Sequence, residues 1–385
     1  MKTSCFSVIL WIAATQLQAA EPVMWDPAQP YSAERSSPVT YDTELVVTVT
    51  PPAKTQLLKV WMPIPLNDQG QDVSSSEFTT FPERVQPQFN TEPVFGNRFA
   101  YFEFPDPLGA QILRHTFQVT VWELRWNLDP ARIQAFVEWP DSFAPYRRSE
   151  DQSVVFDARF ETLLLDIVPV RHNPLDDFRS VMTFVDRNFT YDHAHASLQA
   201  SSVHALELRR GHCSDYHGFC AAMGRLLNSP TRITYGINTF PKSSPSHCKL
   251  EAFLPPFGWV SFDVSETQKL AQAIHANQDL SNAERKTLID AANRRLMQGF
   301  RDNTWFVQTR GTDYQLIPPA RGPVPVVRTI YAEADGQPLS DPDPSNSQEK
   351  KFAWMTSHRF VTDHPISYPF KDTHSLKEWA NKDQQ

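Results

Sequence analysis

Three kinds of side chain stand out for chemistry: a cysteine in Arg210-Gly211-His212-Cys213-Ser214-Asp215-Tyr216, a histidine in Ser246-His247-Cys248-Lys249-Leu250-Glu251, and an aspartate in Gly258-Trp259-Val260-Ser261-Phe262-Asp263. A glycine turn delivers Cys213 to the start of a helix pattern. Free N–H groups and the positive end of the helix dipole there stabilise a thiolate. Comparable sites lower a thiol pKa from ~8.5 toward 7 or below. An imidazole beside that thiolate stabilises it further and holds the proton a leaving group needs. A carboxylate on the ring fixes its tautomer. Together these residue types can perform acyl transfer through a covalent intermediate.

The surrounding patterns indicate how the groups are positioned. Tyr216, Phe219, Cys220, Met223, Leu226 and Leu227 fall on one side of a helix that starts near Cys213 and ends at Asn228-Ser229-Pro230. Strands are predicted at 232–237, 247–254 and 259–264. In the second, Cys248, Leu250, Ala252 and Leu254 form one apolar face, which turns His247, Lys249 and Glu251 to the other. In the third, Val260, Phe262 and Val264 are the apolar set and Asp263 lies opposite. His247 and Asp263 are therefore expected on one sheet face of neighbouring strands. The Pro255-Pro256-Phe257-Gly258 connection is not a two-residue hairpin and leaves the register open.

Two more helices precede this segment. Asn173 and Pro174 make an N-cap and first-turn pair, with Leu175, Phe178, Val181, Met182, Val185 and Phe189 on one face. Ser202 to Arg210 reads as a second helix, stopped by Gly211. Ser281-Asn282-Ala283-Glu284 is a capping box opening a helix to about Met297, and 326–332 reads as a last strand before the turn at Asp335-Gly336.

Upstream, residues 40–126 read as β. Thr43, Leu45, Val47 and Val49 alternate with polar positions, Leu113, Phe117, Val119 and Val121 repeat the pattern, and 57–64 and 98–104 add shorter runs. The expected fold is α+β. An N-terminal antiparallel β domain over 36–150, built as a sandwich, precedes a helical and β domain over 158–335. A C-terminal extension covers 336–385 and begins with a polar loop, Asp341 to Lys351.

The Gly211-His212-Cys213-Ser214-Asp215-Tyr216 block, with Arg225 closing its helix, His247 with Glu251, and Gly258-Trp259-Val260 with Asp263, resembles the transglutaminase-like superfamily, whose core is related to the papain fold. The likeness spans roughly 160–335; Arg310 to Pro318 and Tyr331 to Gly336 resemble later segments of bacterial members. It implies a Cys213–His247–Asp263 triad and suggests Tyr191 as an aromatic residue that helps hold the oxyanion. It also implies a cysteine peptidase or amidase, or else a transglutaminase. One departure is Lys249, where members commonly carry an aromatic residue. No cofactor is required, and the expected partner is a protein or peptide substrate.

The remaining features bound this reading. Lys2, the apolar run Phe6–Ala14 and the small residues Ala19-Ala20 have the three parts of a secretory signal over 1–20, so export to the periplasm or the extracellular space is expected. No other segment is apolar for the ~18 residues that span a bilayer. Net charge is −8, and −9 once Lys2 leaves, which argues against a general nucleic-acid binder. Of four cysteines Cys5 would leave with the signal. Cys213, Cys220 and Cys248 remain, an odd number that leaves at least one free thiol and allows a Cys220–Cys248 disulfide. Asp192-His193-Ala194-His195, with His204, His212 and His217, is the material for a zinc site, yet the chain holds no H-E-x-x-H or paired C-x-x-C. Thirty-two prolines against 12 glycines point to rigid turns rather than flexible linkers. Hydrolysis, amine transfer and a non-catalytic binding scaffold all remain open, with hydrolysis preferred because water needs no second substrate site.

Overall fold

A computed structural model describes residues 25–366, apart from 136–137, 241–244, 344 and 349–352, together with Tyr368 and Lys377. The segment expected as a secretory signal, with Cys5, lies outside the described residues. The chain begins with six strands: β1 (Glu34–Val49), β2 (Leu57–Ile64), β3 (Gln71–Phe81), β4 (Gln88–Thr91), β5 (Arg98–Pro105) and β6 (Gln111–Arg125). Then come α1 (Ala158–Ile167), α2 (Pro174–Asn188), β7 (Thr190–Tyr191), α3 (Ser202–Leu208), β8 (Arg210–Gly211), α4 (Cys213–Leu226), β9 (Thr231–Asn238), β10 (Ser246–Phe253) and β11 (Trp259–Phe262). The last part holds α5 (Val264–Ala276), α6 (Asn282–Gln298), β12 (Phe300–Arg301), β13 (Trp305–Arg310), β14 (Tyr331–Ala334), β15 (Gln337–Pro338) and β16 (Trp354–Thr362). The fold is α+β. Among the described residues no helix is long and apolar enough to cross a membrane.

The N-terminal strands lie in two antiparallel sheets. One runs β12-β6-β1-β16 with β3 also on β6, and the other β15-β14-β2-β5-β4. Alternation makes this possible: Tyr41, Thr43, Leu45, Val47 and Val49 of β1 point inward, as do Leu113, Phe117, Val119 and Val121 of β6. All but Thr43 share one apolar cluster with Leu58, Val60, Phe102 and Phe104 of the second sheet. The sheets are not built from residues 36–150 alone, because β12, β14, β15 and β16 come from the far end of the chain and close both of them.

The site-bearing part is layered differently. Strands β11-β10-β9-β13 form a sheet buried on both faces, with α4 packed against β9 and β10. Asn173 caps α2 by accepting from the Leu175 and Asp176 amides, and Pro174 occupies the first turn. Leu175, Phe178, Val181, Met182 and Val185 are all buried, each contributing about 1.5–3 kcal/mol relative to exposure. The Ser281–Glu284 capping box at α6 forms as expected.

Four elements depart from the sequence reading. Strand β3 was not anticipated because its residues are mostly polar and exposed; it is an edge strand on β6. Strand β16 pairs with β1 from Tyr41/Thr362 to Val49/Trp354, although only Trp354 is fully buried. The last predicted strand starts later, at Tyr331 rather than Val326. The fourth concerns residues 259–264. The strand ends at Phe262, and Val264 opens α5, a helix the sequence reading missed because Val260, Phe262 and Val264 prolong a period of two.

Candidate active site

The local geometry starts at Gly211. Strand β8 pairs in parallel with β7, setting Tyr191 opposite Gly211. Helix α3 ends two residues earlier than expected, at Leu208, capped by a left-handed Arg209. Gly211 itself has φ +150, and a Cβ there would lie 2.2–2.8 Å from the Asp215 side chain, so only glycine admits the contact that follows. Asp215 accepts from the His212 amide at 3.1 Å, while the His212 ring accepts from the Ser214 amide at 3.2 Å. This reciprocal cap makes Cys213 the first residue of α4 and aims the helix start at the thiol.

His247 and Asp263 meet here, by a route the strand pattern did not give. The β10–β11 pairing stops at Leu250/Phe262, so the two residues are not cross-strand neighbours. Asp263 is instead the N-cap of α5, accepting the Glu266 amide on Oδ1 at 3.0 Å. Its other oxygen, Oδ2, lies 2.7 Å from His247 Nε2. His247 Nδ1 has no close hydrogen-bond partner. It is the nitrogen left for Cys213, the thiol with which the ring interacts.

Lys249, the departure from the family pattern, is fully committed. Its Nζ reaches Asp263 Oδ2 at 2.8 Å and Asp302 Oδ2 at 3.0 Å, all buried. Burial alone would protonate Asp263, but the Lys249 and His247 charges outweigh it and hold the carboxyl well below the usual range. Burial would likewise discharge His247; the Asp263 carboxylate and the Cys213 thiolate reverse this and raise its pKa.

Cys213 shifts the opposite way. The Cys248 thiol, hydrogen-bonded to it, is the largest cause of its lowering, and the His247 and His212 charges add to this against the cost of burial. Cys248, expected as plain core, thus faces Cys213, and its own thiol is pushed well up by burial and by Cys213. His217 lies one helical turn after Cys213. Its Nδ1 is 3.4 Å from Cys248 Sγ and its Nε2 3.7 Å from Asp263 Oδ1, while burial brings it down to about 4. An i, i+4 spacing from Cys213 was the available signal for this residue.

Tyr191 also lines the site, and its hydroxyl takes a hydrogen bond from the Cys213 backbone. Its pKa is raised well above that of an ordinary phenol, by burial first and then by the Cys213 charge. Cys213, Cys220 and Cys248 are all buried free thiols, so the Cys220–Cys248 disulfide is not formed. The residues of the zinc alternative are separately engaged. His193 binds Asp343 at 2.6 Å, His195 binds Asp192 at 2.7 Å, and His204 reaches the His195 carbonyl at 2.7 Å. Among the described residues no group of three or more His, Cys, Asp or Glu side chains is arranged to hold a metal ion.

Residues 162–264 match the model of the transglutaminase-like superfamily, a segment that contains Cys213, His247 and Asp263. A candidate cysteine protease from Cytophaga hutchinsonii shares the fold, with a TM-score of 0.59 at 13% identity over 89% of this chain and 98% of that one. The periplasmic domain of TgpA from Pseudomonas aeruginosa matches at a TM-score of 0.30 and 14% identity, covering 58% of this chain and 89% of that one. No curated protein matches by sequence. Residues 162–264 thus resemble a transglutaminase-like core, set within an α+β fold.

Proposed function

We propose that this chain, with its transglutaminase-like core, is an exported cysteine peptidase or amidase in which Cys213, His247 and Asp263 form the catalytic triad. The observation that carries the reading is His247, tied through Nε2 to a buried carboxylate at 2.7 Å with Nδ1 left beside a thiol at a helix start. The Cys213 thiolate attacks the carbonyl carbon of an amide. The oxyanion takes over the Cys213 N–H from the Tyr191 hydroxyl, and that hydroxyl then donates its own proton to it. His247 gives its proton to the departing amine, leaving a thioester; the neutral ring then takes a proton from water as that water attacks, and the acid product and free thiol leave. Asp263 keeps the proton on Nε2 and so keeps Nδ1 available. Lys249 neutralises the second demand on Asp263.

Iodoacetamide alkylation of Cys213 across pH tests the nucleophile. Reaction is expected to persist well below the range of an ordinary thiol and to require His247. A Cys213 that reacts at pH 6 no faster than a simple thiol, unaffected by His247→Ala, removes the proposal. Ammonia release from glutamine peptides, with and without a primary amine, separates the acceptors, and covalent capture of the amine would replace hydrolysis by transfer. Export rests on residues 1–20, and mass spectrometry of the protein from cells is expected to show a chain starting at Glu21.

A further inference from the structure

The cavity above the nucleophile is almost closed. Its free volume is ≈ 10 Å³, at the lower limit for one water and far too small for a peptide. Against its wall lies the beginning of the polar loop singled out in the sequence, Asp341-Pro342-Asp343, whose last residue lines the cavity. Asp343 lines the same cavity as Cys213 and His247, and so does Arg328. Three polar contacts hold this short stretch. Arg328 Nε donates to Asp341 Oδ2 at 2.7 Å, Arg328 Nη2 donates to the Pro342 carbonyl at 2.8 Å, and the His193 ring meets Asp343 Oδ2 at 2.6 Å.

The receiving residues belong to the wall of the site. Arg328 is buried, its backbone carbonyl accepts from Ser246, the residue before His247, and it lies close enough to feel the Cys213 charge. His193 packs edge-on against both Tyr191 and His212. A buried guanidinium is tolerated only while a carboxylate faces it, because an unpaired buried charge is strongly unfavourable. A peptide that approaches Cys213 through this cavity meets Asp343 and has to take its place. Unless it brings carboxylates of its own, it leaves Arg328 and His193 facing an amide or nothing.

We infer that Arg328 and His193 form a subsite for an acidic peptide segment next to the scissile bond, and that Asp341-Pro342-Asp343 occupies this subsite as an internal stand-in. The inference rests on the reading of Cys213 as an acyl-transfer nucleophile for its meaning, but its test reads binding and access rather than turnover. It names the substrate class, peptides with two carboxylates spaced like those of Asp-Pro-Asp, and it makes the resting chain self-covered.

The test uses the full chain carrying Cys213→Ala and a fluorescent peptide containing Asp-Pro-Asp, beside its Asn-Pro-Asn twin, read by anisotropy. At least a tenfold preference for the acidic peptide is expected. Asp341→Asn with Asp343→Asn in the same background is expected to tighten acidic-peptide binding severalfold, and Arg328→Met to erase the preference. With Cys213 intact, the double Asn variant is expected to be alkylated by iodoacetamide severalfold faster than the parent. Equal or absent binding of the two peptides to the double Asn variant overturns the subsite, and an unchanged alkylation rate overturns the stand-in. These two results do not depend on whether Arg328→Met folds. An acidic preference in a chain whose Cys213 shows only ordinary thiol reactivity would fault the reaction and leave the subsite standing.

Discussion

Two buried charge clusters lie in this protein, and only one has the makings of chemistry. In the first, Asp68 meets Arg301 at 2.9 Å and also Arg310, while the Arg301 guanidinium contacts Gln71 and the Asp68 carboxylate accepts the Gly70 amide at 2.7 Å. It joins β12 and β13 to the loop after β2, fastening the two parts of the chain together. In the second, Lys249, Asp263, His247, His217 and the Cys213–Cys248 thiols surround the start of α4. Both clusters hold a carboxyl below its usual range, and in both the opposing cations outweigh burial. Both leave a nitrogen without a close hydrogen-bond partner: Arg301 Nε in one, His247 Nδ1 in the other. The difference is what those nitrogens can do. A guanidinium keeps its protons at any working pH, whereas an imidazole exchanges one near neutrality. Buried charge by itself therefore marks an attachment point; a site needs buried groups with a proton to move.

The largest effect expected is on the chemical side. Cys213→Ala should lower turnover by ~10⁴-fold or more with little change in melting, and a residual rate within tenfold of the parent would break the contrast. Next, Asp68→Asn leaves two buried arginines short of a carboxylate and should cost about 3–5 kcal/mol in a denaturant titration, with the alkylation profile of Cys213 unmoved in the folded protein. If that profile moved instead of the stability, the clusters would be energetically one.

The pH dependence sharpens the same division. Cys213 is lowered and His247 raised, so the thiolate–imidazolium pair persists between the two values, with an acid limb at the lowered thiol pKa. Cys248→Ala removes the thiol donor and should carry that limb upward, roughly tenfold slower alkylation at its foot for each pH unit moved. An unmoved limb would return Cys248 to plain core. Asp68 obeys the opposite kind of linkage. Its folded pKa is depressed, so the stability it contributes is present above ~3.9 and is lost as pH falls through the lower folded value. Asp68→Asn should flatten acid unfolding accordingly. The smallest effect belongs to neither cluster: Ser281→Ala, at the α6 cap, should cost ~1 kcal/mol and leave alkylation unchanged.

Much of the site was legible because its parts are local. Gly211, His212 and Asp215 lie within one turn of Cys213, so the helix start could be read directly. The companion residues were hidden for a specific reason. Cys248 and Lys249 sit on a strand buried on both faces, where apolar alternation cannot say which side is the site. Asp263 was placed on a strand because Val264 continued the period, although the same residue is a good helix cap. The polar residues of β3 and the half-covered face of β16 carry no strong period either, since edge strands bury little.

Taken alone, the sequence determined the position of Cys213 at a helix start, the strand that bears His247, the capped helices α2 and α6, and the α+β order of elements. These depend on neighbours a few residues apart, whose geometry the covalent chain enforces. Only tertiary structure decided that Asp263 reaches His247 from a helix cap, that Lys249 bridges Asp263 and Asp302, and that Asp343 lines the cavity of Cys213. Those contacts join segments distant along the chain, and their geometry is set by which buried charges find partners when the layers close.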